Sequence, residues 1–296
     1  MANGTPVVRG LSAGPERRWG KVLTLSLADY SPCTAAKLPM DPTSATTSPT
    51  LQTLPPWAKQ LLKRPLIEIR RGLSLDYDPP FENSSVIALT APSGKYVDIR
   101  FRLAHKEESS VKKESEHFAG YATAGTATAI LPIGSTTCEP YECTVHVKWE
   151  HPIDSSASFA TDGADMYLLA NGDTMEVGVM EIDSKIRMFK EYWTTPKHCE
   201  SSDYVVVETP ASKDDETKGM AIRMGNYCQG VLQTATDFWV ERWELNNCDW
   251  TKDARSNTGQ GDDILPCKWM VQDMRKVGDK TAIDAYTWEV IEASTS

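Results

Sequence analysis

Nowhere in the 296-residue sequence do 18 apolar residues run together, so no stretch is long enough to cross a bilayer as a helix. The most apolar piece near the start, KVLTLSLADY, is short and polar, and no small-residue cleavage pattern follows it, so a secretory leader is not expected. Positive charge is in deficit: 31 Lys and Arg stand against 41 Asp and Glu, a net charge of −10. A chain of that sign repels a phosphate backbone or an anionic bilayer, which excludes nucleic acid and membrane as natural partners. The seven cysteines (Cys33, Cys138, Cys143, Cys199, Cys228, Cys248, Cys267) are odd in number and contain no C-x-x-C pair. Neither a zinc knuckle nor a disulfide scaffold is signalled, and reduced thiols in a cytoplasmic protein are the expectation. Cys138 and Cys143 are the pair that could bridge in an oxidising compartment. Also missing are a G-x-S-x-G elbow, a phosphate-cradling Gly-rich loop and a dinucleotide fingerprint, so hydrolase, kinase and NAD-dependent readings lack support. His146 and His151 stand five apart on a strand pattern, hence on opposite faces. No metal and no cofactor is expected.

What is present is organised in three parts. Residues 1–60 form an arm whose stretch LPMDPTSATTSPTLQTLPP (Leu38 to Pro56) has almost nothing to bury and reads as a linker. PPWAKQLLKRP reads as one short amphipathic helix, started by Pro56 and ended before Pro65. From Leu66 onward the period changes to two. KYVDIRFRL sets Val97, Ile99 and Phe101 on one face and Tyr96, Asp98, Arg100 and Arg102 on the other; TVHVKWE does the same with Val145, Val147 and Trp149. MYLLANGDTMEVGVME reads as two strands about an Asn171-Gly172 turn. IRMFKEYW, DYVVVET, GMAIRMG, YCQGVLQTA, DFWVERWEL, CKWMVQDMRKVG and AIDAYTWEVIEA continue the series of strands. So many short strands imply an all-β chain of antiparallel sandwiches or barrels. Trp149 precedes Trp193 by 44 residues and Trp243 precedes Trp288 by 45, a weak internal repeat that suggests two similar meandering barrels, 66–198 and 203–293. Shared period-2 patterning would account for the likeness equally simply.

The pieces YVDIRF, FAGYATAG, VKWEHPIDS, NGDTMEVGVM, KEYW, GMAIRMGNYCQGVL and VERWEL, in that order, resemble the fungal kinase-interacting proteins built from two lipocalin-like barrels. The resemblance spans roughly residues 66–292 and implies two lipocalin-like antiparallel β-barrels in tandem behind an N-terminal arm. This chain departs from the pattern in its long arm, in a stretched segment from Glu107 to Cys143, and in Pro152, where an aromatic is usual. Divergent two-barrel proteins of this kind also occur in fungal secondary metabolism, where they resemble pericyclases. The resemblance therefore implies cofactor-free Diels-Alder or hetero-Diels-Alder cyclisation, with dehydration to a quinone methide, of hydrophobic polyketide or terpenoid substrates. The alternative is a non-catalytic binding or scaffold protein that meets a protein kinase or carries a hydrophobic ligand. A homodimer fits either reading.

Nine Trp and ten Tyr, many beside Arg, His or Glu, are the material of an apolar pocket with a few convergent polar groups. Cyclisation asks a pocket to align two fragments, to donate hydrogen bonds to a developing oxyanion, and to move a proton. His151, Arg242 and Glu191 are the candidate catalytic residues; Trp149, Tyr192, Trp193, Trp243, Trp269 and Glu176 are the candidate substrate-binding ones. Trp149 and His151 share a face, Arg242 shares one with Val240 and Glu244, and only one of Tyr192 and Trp193 points inward. The plainer alternative is that the Trp residues fill two cores and Arg242 is solvated or ion-paired. Asp154, after Pro152, reads first as a turn cap.

Overall fold

The chain alternates so that one row of side chains on each strand is apolar, and the computed structural model pairs those rows into two antiparallel sheets. It describes residues 56–103, 120–130, 144–156, 162–182, 184–196, 203–210, 217–256 and 264–294. The arm ahead of Pro56, much of the segment from Glu107 to Cys143, and Cys33, Cys138, Cys143 and Cys199 lie outside the described residues. Helix α1 (Pro56–Leu61) precedes eight strands: β1 (Leu66–Leu75), β2 (Ser84–Thr90), β3 (Lys95–Arg102), β4 (Gly120–Ile130), β5 (Thr144–Asp154), β6 (Asp162–Leu168), β7 (Thr174–Ile182) and β8 (Lys185–Thr194). Each pairs with the next and β8 pairs back with β1, so the barrel is closed. Closure removes every exposed edge.

The second half contributes β9 (Tyr204–Glu208), β10 (Lys218–Met224), β11 (Tyr227–Gln233), β12 (Phe238–Asn246), β13 (Asp249–Lys252), helix α2 (Cys267–Gln272), β14 (Lys280–Ile283) and β15 (Tyr286–Ala293). Its order is β13-β12-β11-β10-β9-β15-β14. This is the order of the first barrel opened at one seam: β13 and β14 do not meet, and α2 packs on β10, β11 and β12 instead. The expected tandem of barrels is thus one closed barrel and one curled half-barrel around its own core of Val205, Val207, Leu232, Met270 and Trp288.

Three local expectations change. CKWMVQ is a helix, not a strand, because Cys267, Met270 and Val271 recur at the i, i+3, i+4 spacing that lays one helical face on the sheet. AIDAYTWEVIEA is a hairpin rather than one strand, turning at Asp284 with φ 49°. Between β6 and β7 only Gly172 takes a positive φ, 88°. The loop is therefore a type I turn closed by a left-handed glycine, not a two-residue turn.

The two sheets share one core. Ile87, Leu89, Val97, Ile99 and Phe101 on the outer face of the barrel pack against Val206, Met220, Ile222, Val231 and Val240 of the second sheet. The apolar row of KYVDIRFRL thus points out of the barrel, and its polar row points in. On β5, Ala124 pairs with Ile153 while Thr126 pairs with Glu150, so β5 carries one extra residue. That bulge bends the strand and shifts its alternation. A Cβ on Gly125 would lie 1.9 Å from the Glu150 carbonyl oxygen, so only glycine fits there.

Candidate functional site

With apolar rows facing outward from β1 to β4, the barrel lumen receives charge. Register sets Glu68 opposite Ala88, Ala88 opposite Asp98, and Arg70 opposite Trp193, all on the inner face. Arg70 is 5% exposed. It is gripped by Glu82 through Nε and Nη2, each at 3.0 Å, and its Nη1 donates to Glu191 at 2.5 Å. Arg100 also donates to Glu191, at 3.2 Å, and pairs with Asp98 at 2.8 Å. Burial lowers the Arg100 guanidinium, but Asp98 and Glu191 outweigh it and hold it well above its ordinary value. Glu191 stands directly across the ladder from Glu176, whose Oε2 accepts from Trp193 Nε1 at 2.9 Å. Burial first, and then Glu191, push the Glu176 carboxyl well above the usual range, which favours its protonated form.

Toward one mouth the lumen turns apolar. Val145, Val147 and Met166 point inward and meet Trp57 and Ala58 of α1, which caps that end. Between cap and network lies a cavity of about 730 Å³. Its wall includes Val145, Val147, Trp149, Met166 and Leu168, and its polar groups include Arg64, Glu68 and Asp173. Burial raises the Glu68 carboxyl; Arg64 pulls it down by less. Farther round the lumen, His151 Nδ1 lies 3.0 Å from Asp154 Oδ2 and its Nε2 3.4 Å from Asp162. Burial, and then nearby carboxylates, push the Tyr96 and Tyr121 phenols upward. Asp154 Oδ1 accepts from Ser156 N and Oγ, both at 2.7 Å, and so caps the turn.

Of the residues singled out from sequence, Trp149 lines the cavity, and Glu176, Glu191, Trp193 and His151 lie in the same lumen beyond it. Tyr192 faces outward, its hydroxyl donating to Asp173 and accepting from Asn171. Trp243 and Trp269 belong to the second core, where Arg275 lies 4.3 Å over the Trp269 ring. Arg242 is fully buried between the sheets. It donates from Nε to Gln229 Oε1 at 2.7 Å, from Nη1 to Ser85 Oγ at 3.0 Å, and from Nη2 to the carbonyls of Ile99 at 2.6 Å and Ser85 at 3.3 Å. Burial pulls its guanidinium down to about 10. It joins the two halves and does not line the cavity.

Arg64, Glu68, Arg70 and Arg100 were not singled out from sequence. For Glu68, Arg70 and Arg100 the signal was present in LIEIRRGL and YVDIRFR, where charges alternate with large apolar residues. Such alternation normally marks a solvated face, and only barrel closure turns that face inward.

A closed antiparallel barrel with a side-chain-lined cavity, followed by a curled second sheet, defines a tandem lipocalin-like β-barrel protein. The chain belongs to the Protein HRI1 family, whose model matches residues 66–292. Its fold is similar to that in the crystal structure of uncharacterized protein YLR301w from Saccharomyces cerevisiae. That protein is 15% identical, with 78% of this chain and 99% of that chain covered and a TM-score of 0.57, a likeness of fold. No curated protein matches the chain. No helix among the described residues is long and apolar enough to cross a membrane.

Proposed function

We propose that the first barrel binds a hydrophobic small molecule in its lumen. The observation that carries this is the cavity of about 730 Å³, within the size range of small-molecule sites, with an aliphatic and Trp wall on one side and a few buried polar groups on the other. A core built only for stability would close such a space with side chains. A panel of hydrophobic polyketides, tropolones and terpene alcohols, followed by tryptophan fluorescence and thermal shift, tests it. Saturable quenching that is lost in Trp149→Phe, with a raised melting temperature, is the expected result. A flat response across the panel, with a protein partner recovered instead, would favour the scaffold reading.

The cyclase reading rests on a second observation: a carboxyl raised by burial, Glu68, borders the cavity. A carboxyl whose proton affinity is raised beside an apolar chamber is suited to protonate a leaving hydroxyl or hydrogen-bond a carbonyl, which is what dehydration followed by a hetero-Diels-Alder closure requires. The chamber itself contributes alignment of the two fragments. Glu176, Glu191 and His151 then act behind Glu68, through the buried network, and Arg242 acts in packing. Conversion of paired substrates by the wild type, and its loss in Glu68→Gln with binding retained, is the outcome that supports catalysis.

A further inference from the structure

The cavity is not electrically even. Its aliphatic wall lies on β5 and β6, while the segment joining α1 to β1 brings Lys63 and Arg64, and β1 brings Glu68, to the same space. Arg64 uses one nitrogen only: Nη1 donates to the carbonyls of Lys63 at 2.8 Å and Leu61 at 3.4 Å. Nε and Nη2 make no hydrogen bond to the described residues, and Arg64 is among the residues that line the cavity. The two carbonyls fix the plane of the guanidinium, so the free edge is pre-oriented, and a forked donor of this kind matches two oxygens. Glu68 makes no hydrogen bond to another described residue, and its surface opens onto the same space. Nearby Asp173 is occupied by the Tyr192 hydroxyl and Asn171 Nδ2.

We infer that the cavity selects hydrophobic ligands carrying an acidic oxygen group, a carboxylate or an enolate-type oxyanion, held by the free edge of Arg64 beside Glu68. This rests on the binding reading above and names the ligand class for that site. Three features converge on it. A guanidinium partly removed from water gains more from an anion than an exposed one. Burial lifts the Glu68 carboxyl, which eases its protonation beside a bound anion. The long apolar wall takes the rest of the molecule. A basic amine would meet Arg64 and Lys63 and be disfavoured.

The test uses 11-(dansylamino)undecanoic acid and its methyl ester as probes on the full chain, read by dansyl emission and by energy transfer from Trp149. The acid is expected to bind about tenfold or more tightly than the ester, the worth of one charge-assisted hydrogen bond in a partly buried site. R64Q should bring the acid to the level of the ester, and R64K should restore part of the preference. E68Q keeps a neutral donor and should retain the preference, whereas E68L should weaken the acid. Equal affinity of wild type for acid and ester, or a preference that survives R64Q, would overturn the inference and leave the binding reading standing. Silence of both probes, with native melting curves, would overturn the two together.

Discussion

Replacing Arg242 with alanine should unfold the joint between the two sheets rather than disarm a binding site. The side chain is 0% exposed and makes four hydrogen bonds, two of them to barrel carbonyls and one to a barrel serine. Its guanidinium also lies 4.7 Å over the Phe101 ring. Truncation leaves Gln229 Oε1 and the Ile99 carbonyl buried without their donor, and it opens a hole in the shared core. Each buried acceptor left without its donor costs about 1–3 kcal/mol, and the cavity left by the side chain adds to it, for a total on the order of 3–5 kcal/mol. For a domain of this size that corresponds to a fall in Tm on the order of 10 °C. Arg242→Met fills the volume and abolishes the desolvation cost of the charge, so it should lose less than the alanine variant. Urea midpoints and thermal melts of the three proteins, with probe binding measured below the transition, separate the cases. An alanine variant that melts within about 2 °C of wild type but no longer binds probe would refute the reasoning and return Arg242 to the site.

Two other perturbations follow. Burial and Glu191 hold the folded pKa of Glu176 above its unfolded value: as pH rises past about 4.5 the unfolded chain releases a proton that the folded chain holds more tightly, and stability falls. Glu176→Gln retains an acceptor for Trp193 and removes that penalty; its Tm advantage over wild type should be absent near pH 4 and grow toward pH 7. A pH-independent difference would show that Glu176 ionises normally. Gly125→Ala would press its Cβ against the Glu150 backbone, 1.9 Å away. With no flexible side chain to yield, we expect a loss of about 3 kcal/mol or more, seen as a fall in the urea midpoint; a normal midpoint would mean that the bulge relaxes.

By itself the sequence determined most of the strands it named, their two-faced pattern and the helix after Pro56, because period-2 alternation and proline act locally. It also determined that Trp193 and Tyr192 part company, since neighbours on a strand must. It could not determine which face of a strand is the inside. In KYVDIRFR the apolar row seeks burial, but whether that burial is a barrel lumen or a second sheet depends on chain segments more than a hundred residues away. Because the second sheet takes that row, Asp98 and Arg100 turn inward and charge becomes the lining of the lumen. The same tertiary choice moved Arg242 from candidate site to joint and brought Arg64 and Glu68 to the cavity. Helix CKWMVQ was likewise decided by tertiary structure, since its i, i+3 face has meaning only against the strands β10, β11 and β12 on which it packs. Alternation is a property of the backbone, whereas inside and outside belong to the packing of whole sheets.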